Sequence, residues 1–152
     1  MSESIIEVEL HQQSDYQFIT KFGGEVPALL CDEPPPLGAG TGPSPVQLLA
    51  AAVGNCLSDS LLYALRKFKQ HPEPLQTRVV LSVGRNEQGR LRVLHIKAIL
   101  KLGVQANTLE HLASVLSQFE SFCTVSQSVG LGIPIETRVE DVNGLVLKGP
   151  SP

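Results

Sequence analysis

Charge is scarce in this chain. Asp, Glu, Lys and Arg make up 18% of its 152 residues, none lies between Pro34 and Ser58, and no arginine precedes Arg66. A net charge of -3 and a pI near 5.8 provide no basic field for a phosphate backbone, so no nucleic-acid partner is expected. The opening "MSESIIEVELHQQ" lacks a basic segment followed by a continuous apolar one, so it does not read as a signal peptide. Prolines, glycines, Gln47 and Asn55 interrupt the charge-free run and make it a poor membrane span. The expectation is a soluble, cytoplasmic protein with no membrane partner. Cysteine is scarce too: Cys31, Cys56 and Cys123 are too few, and odd in number, for a secreted disulfide framework. Without C-x-x-C spacing, and with four scattered histidines, they do not suggest a zinc site. No metal or cofactor is expected.

What the chain does have is 42% hydrophobic residues, enough for one domain over residues 1–152. "SIIEVELHQQ", "DYQFITKF" and "GGEVPALLCDE" read as three N-terminal strands over about residues 5–31, joined at Ser14-Asp15 and at Gly23-Gly24. The Pro/Gly-rich "PPPLGAGTGPSP" then leads to a central helix over about residues 45–70. Ser44 as N-cap, Pro45 at the first helical position and Gln47 three residues after the cap mark its start. His71-Pro72-Glu73-Pro74 is expected to end it. From Val46 to Leu57 this helix is apolar nearly all round, which calls for burial.

Strands and a helix are expected to fill about residues 75–140, followed by a tail over 141–152 that is extended or a weak hairpin. "LQTRVVLSVGR" and "RLRVLHIKAILKL" flank "NEQG" as an antiparallel hairpin, with Thr77, Val79, Leu81 and Val83 on one face and Leu94, Ile96, Ala98, Leu100 and Leu102 on the matching one. Asn107 is expected to cap a second helix, "TLEHLASVLSQFESF", with Glu110 at its third position. "TVSQS" reads as a short helix and "IPIETRVE" as a further strand. Grouped rather than alternating elements give an α+β class with mainly antiparallel sheet. One sheet and one helix cannot cover a helix with so little polar surface, and a homodimer would complete the burial.

An inert core thiol is the commoner role for a cysteine in an apolar helix, and Cys56 alone would be read that way. Cys123, however, precedes the short helix, whose N-terminal amides would lie near its sulfur and stabilise a thiolate. "GPSPVQLLAAAVGNC" followed by "CTVSQSV" resembles the osmotically inducible protein C and organic hydroperoxide resistance (OsmC/Ohr) family, on motifs confined to residues 43–57 and 123–129. The resemblance implies a domain-entwined homodimer with a long buried central helix and cysteine pairs in pockets at the subunit interface. It implies Cys56 as peroxidatic and Cys123 as resolving cysteine, an organic hydroperoxide as substrate and an external dithiol as reductant.

The chain departs from the family's hydroperoxide reductases, which carry a glutamate in the first turn of the cysteine helix and an arginine from the early strands. Here Val46 and Gln47 stand at the first, and Lys21 is the remaining candidate for the second. Thr124 replaces the usual proline. The chain looks closer to members without those charged partners, and an alternative reading is a non-catalytic protein binding a small apolar ligand at the dimer interface. A third is a purely structural thiol pair. Asp59, three residues after Cys56, would disfavour a thiolate or begin the solvated half of the helix. Asn55 and Gln47 could donate hydrogen bonds, His95 and His111 have no cysteine neighbour in sequence, and Cys31 has no evident partner.

Overall fold

The computed structural model describes residues 2–150, and its backbone divides into two compact units, one ending at Leu49 and the other beginning at Ala50. The first unit holds a three-stranded antiparallel sheet in the order β1 (Glu9–Ser14), β2 (Gln17–Lys21), β3 (Leu29–Cys31). Asp15 turns the β1-β2 hairpin with φ 48°, a left-handed conformation that aspartate tolerates better than most residues. The third strand is shorter than the sequence suggests, because Gly23 and Gly24 have positive φ and Pro27 has no N–H to give a ladder.

Beyond β3, one buried carboxylate organises the proline-glycine loop. Asp32 accepts hydrogen bonds from the backbone N–H groups of Glu33 (2.8 Å), Ala39 (3.2 Å) and Thr41 (3.1 Å), and from the Thr41 hydroxyl (2.8 Å). These donors favour the charged form and hold its pKa down at about 2.

Helix α1 (Pro45–Lys67) starts with the expected capping box: the Ser44 N–H donates to Gln47 Oε1 (2.9 Å) and the Gln47 N–H to Ser44 Oγ (3.3 Å). It ends before the prolines. Lys69 takes a left-handed conformation (φ 58°), its N–H bonds to Arg66 O, and the Gln70 N–H reaches back to Leu65 O, a Schellman closure with lysine where glycine is usual. By length and composition α1 could cross a membrane; here Val53, Gly54, Leu57, Leu61 and Leu65 form one buried stripe. Ala51, Ala52 and Asn55, on the half expected to be buried, are exposed in the single chain.

The second unit's sheet runs in the order β4 (Gln76–Arg85), β5 (Leu91–Lys101), β6 (Ile135–Glu140), β7 (Val146–Lys148). β4 and β5 form the anticipated hairpin, and β7 makes the tail an antiparallel partner of β6. β6 pairs with β5 in parallel, the one parallel pairing among the described residues. The α+β class and the predominance of antiparallel pairing hold. A register shift between Ser82 and Val83 interrupts the face alternation read from sequence, so Val83 is 50% and Leu94 46% exposed while Ile96, Ala98, Leu100 and Leu102 are buried.

Asn107 caps no long helix. It lies in a 3-10 turn (Ala106–Thr108), and α2 is confined to Leu112–Gln118, preceded by His111 at φ 59°. The Glu110 N–H is taken by the Gln70 side chain (2.9 Å), which pins an extended stretch where the helix was expected to begin. A second 3-10 turn (Phe119–Phe122) leads to α3 (Thr124–Val129).

Gly54 lets α1 approach β4 closely: a Cβ there would lie 2.6 Å from Val79 Cγ2. Gly54→Val is expected to cost about 1–3 kcal/mol through overpacking, although any residue but proline gains helix propensity over glycine. Unchanged or raised stability in urea titration would contradict this packing. Asp32 provides a second test. Its folded-state pKa lies below the unfolded value, so its stabilisation is present above about pH 4 and lost as pH falls towards 2. Asp32→Asn is therefore expected to lower the urea midpoint at pH 7 and to approach the native chain by pH 2; a gap independent of pH would refute this role of the carboxylate.

Candidate functional site

Cys56 stands on the side of α1 opposite the buried stripe, half-buried, with Asp59, Ser60, Tyr63, Ala64 and Lys67 following it at helical spacing. These residues form one wall of a cleft of about 520 Å³. The other wall comes from Val115 and Gln118 of α2, from Phe119 and Phe122 of the 3-10 turn, and from Thr124 at the start of α3. The lining is mainly apolar. Tyr63 and Phe122 are 71% and 73% exposed.

Cys123, fully buried, is the residue from which α3 begins, and its thiol lies near enough to Cys56 to help push the pKa of that thiol up. Both sulfurs are free thiols. The sequence suggests that the α3 amides serve Cys123; in the structure the Val125 N–H donates to Cys56 Sγ instead, at 3.5 Å. The reason lies in helix geometry: Cys123 is the N-cap residue and makes no side-chain capping bond, while the second amide of the helix points outward to the sulfur arriving from α1.

The electrostatics favour the protonated form of Cys56. Burial pushes its pKa up, the Val125 N–H opposes that, and the neighbouring Cys123 and the Asp59 carboxylate push it up further. Lys67 lines the same cleft but sits eleven residues along the helix, about 16 Å away by helical rise. The sequence offers Lys21 as a cationic partner; it lies exposed on β2. No acidic residue occupies the first turn of α1, where Val46 and Gln47 stand and Gln47 is used in capping.

Other candidates fall elsewhere. His95 lies 3.8 Å from Glu136 on the sheet, and the His111 ring stacks on Phe68 at 4.5 Å, one layer behind the cleft. Cys31 is buried with the Thr20 hydroxyl 3.2 Å from its sulfur. Asn55 is exposed. Sequence reasoning missed Tyr63, Lys67 and Phe119, although the first two follow Cys56 at seven- and eleven-residue spacing. One further contact steadies the second wall: Lys148 donates to Leu116 O, pairs with Glu120 (3.1 Å) and lies 5.3 Å from the Phe119 ring centre. Glu120 O in turn accepts the Cys123 N–H at 3.1 Å.

Residues 38–138 match the family model described as OsmC-like protein. Solved structures share the fold across nearly their whole length. An OsmC-like protein of unknown function from Vibrio cholerae is 17% identical over 90% of this chain and 99% of its own, with a TM-score of 0.76. An organic hydroperoxide resistance protein from Elizabethkingia anophelis is 15% identical over 92% and 98%, with a TM-score of 0.72. The organic hydroperoxide resistance protein of Bacillus subtilis is 15% identical over 90% and 98%, with a TM-score of 0.69. Among curated protein sequences, none matches.

Because the thiolate is the reacting form, alkylation of Cys56 by iodoacetamide is expected to rise about tenfold per pH unit from pH 7 to 9. Asp59→Asn removes a negative charge and should raise the rate at pH 7 by roughly two- to fivefold. Peptide mass spectrometry reads both. A rate already level by pH 7, or slowed by the Asp59 change, would contradict a thiol held protonated by burial and Asp59.

Proposed function

Because the chain belongs to the OsmC-like family, we propose that it is a thiol-dependent peroxidase that reduces organic hydroperoxides through Cys56 and Cys123, in defence against oxidative stress. The observation that carries this reading is that two free thiols neighbour one another, the less buried of them, Cys56, on the wall of an apolar cleft. The Cys56 thiolate attacks the terminal oxygen of the hydroperoxide, the O–O bond breaks, and the alkoxide leaves and takes up a proton as the alcohol. Cys56 is left as a sulfenic acid. The Cys123 sulfur then displaces water to form a disulfide, and an external dithiol reopens it. An apolar lining favours an organic peroxide over hydrogen peroxide, and the naming of structural neighbours as organic hydroperoxide resistance proteins supports the same substrate class.

A homodimer fits this reading. Ala51, Ala52 and Asn55 are exposed on a helix otherwise apolar at that end, and Tyr63 and Phe122 are exposed at the cleft, so a second, entwined copy would bury all five. A reducing compartment such as the cytoplasm would keep the thiols ready for attack.

One observation favours a second reading. Cys56 is pushed towards its protonated form without a nearby cation, as suits a protein that holds a small apolar ligand in the cleft and performs no chemistry.

The deciding experiment treats reduced protein with one equivalent of cumene hydroperoxide, and with hydrogen peroxide in parallel. The peroxidase reading expects a Cys56–Cys123 bridge, reversed by a dithiol and formed faster with the organic peroxide. Cys56→Ser should abolish the reaction, and Cys123→Ser should stop it at a sulfenic acid trapped by dimedone. Thiols still reduced after hours would sink that reading in favour of ligand binding. Light scattering should give twice the chain mass; a monomer at tens of micromolar would remove the dimer.

A further inference from the structure

The solvent side of the four-stranded sheet carries a second cleft. Register sets Arg78, Ile99 and Arg138 side by side across β4, β5 and β6, and Gln76, Lys101 and Glu140 beside one another in the next row. All six, with Thr77, line a cleft of about 370 Å³. Three cations and one carboxylate meet there over an apolar floor at Ile99.

The pairing available within the chain does not use up these cations. Glu140 reaches only the Arg138 Nη2, at 3.5 Å. Arg78 and Lys101 form no salt bridge among the described residues. Asp141, the next residue on the chain, commits its carboxylate to the backbone N–H groups of Ala106, Asn143 and Leu145. Most telling is Arg138 itself. Its side chain is only 12% exposed, and its Nε is buried with no acceptor among the described residues. A buried guanidinium N–H without a partner is costly, and Nε with one Nη is the edge that receives two oxygens of one oxyanion. Across the strand between them Arg78 and Arg138 are about 10 Å apart at the backbone, close enough for both long side chains to converge on one small ligand.

We propose that Arg78, Lys101 and Arg138 form a binding site for a small oxyanion, a phosphate or carboxylate group, on the outer face of the sheet. The Arg138 edge takes two oxygens, and Arg78 and Lys101 supply charge from the flanking positions. This site is separate in residues from the thiol cleft and does not depend on the peroxidase reading.

The test is a heteronuclear NMR titration of the full chain at fixed pH and ionic strength, with inorganic phosphate in one series and succinate in another. The expected result is saturable amide shifts clustered at residues 76–78, 99–101 and 138–140, with half-saturation at or below about 5 mM. Arg138→Gln and Arg78→Gln should each weaken binding by about tenfold, and Arg138→Lys should recover only part of the loss, since lysine keeps the charge without the fork. Arg78 is exposed, so its variant serves even if Arg138→Gln does not fold. Saturation by phosphate alone assigns a phosphorylated ligand, and by succinate alone a carboxylate one. Shifts that stay linear to 20 mM with both anions, or that both glutamine variants leave unchanged, would overturn the site.

Discussion

Everything at the thiol cleft depends on how closely α1 lies against β4. At Gly54 no side chain separates helix from strand, and the Val79 methyl fills the space that a Cβ would need. One turn later Ser58 completes the contact, its hydroxyl bonded to Gly54 O and within 2.5 Å of the Thr77 hydroxyl. With that side of the helix fixed, Val53, Leu57, Leu61 and Leu65 can only face inward. Helical periodicity then leaves Cys56, Asp59, Tyr63 and Lys67 on the other side. The direction in which the sulfur points is therefore set by a glycine two residues earlier.

The same geometry creates opposed demands on the sulfur. Two thiols in a partly buried place are readily accommodated while both stay protonated, because neither then carries a charge that burial would disfavour. Ionising one of them is harder, since burial, Cys123 and Asp59 oppose a second negative charge and one amide of α3 favours it. The two effects on attack do not cancel. Each unit by which a thiol pKa lies further above the ambient pH removes about nine-tenths of its thiolate, while intrinsic nucleophilicity rises only about threefold. On these terms the burial that surrounds Cys56 lowers its reactivity towards any electrophile, since the loss of thiolate outweighs the gain in nucleophilicity.

How much of this was legible follows from the range of the interactions involved. The Ser44-Gln47 capping box, the β4-β5 hairpin and the short helix after Cys123 rest on neighbours in sequence, and the sequence displays them. The end of α1 was legible only to within about three residues, since the prolines mark where the helix cannot continue while a lysine adopts the left-handed conformation that glycine would have announced. Nor was the late start of α2, which depends on Gln70 taking an amide forty residues away. A one-residue register shift at Ser82-Val83 was enough to turn Val83 and Leu94 outward from an otherwise regular alternation. At the candidate site the two cysteines stood out as residue types in a charge-free context, yet which sulfur the α3 amide serves depends on the angle at which two distant helices meet.

The scarcity of cations around Cys56 also has a structural cause. Four of the chain's twelve basic residues, Arg78, Lys97, Lys101 and Arg138, sit on three neighbouring strands at positions that alternate with Val79, Ala98, Leu100 and Val139. Val79 touches the helix at Gly54, and its cross-strand partner Ala98 shares its face, so the alternation that builds the interior sends these four cations to the opposite side of the sheet. None of them can reach the sulfur without a register slip, and a slip would expose the core. A cation for Cys56 must therefore come from elsewhere than these four, and Lys148 of β7, on the helix side of the sheet, is engaged by Glu120 and Leu116 O. On the helix the nearest one in the cleft, Lys67, is three turns away, and at that distance across an open, hydrated cleft its charge is largely screened. The same alternation that supplies the outer face with charge thus leaves the thiol pair to be governed by burial, by Asp59 and by a single amide.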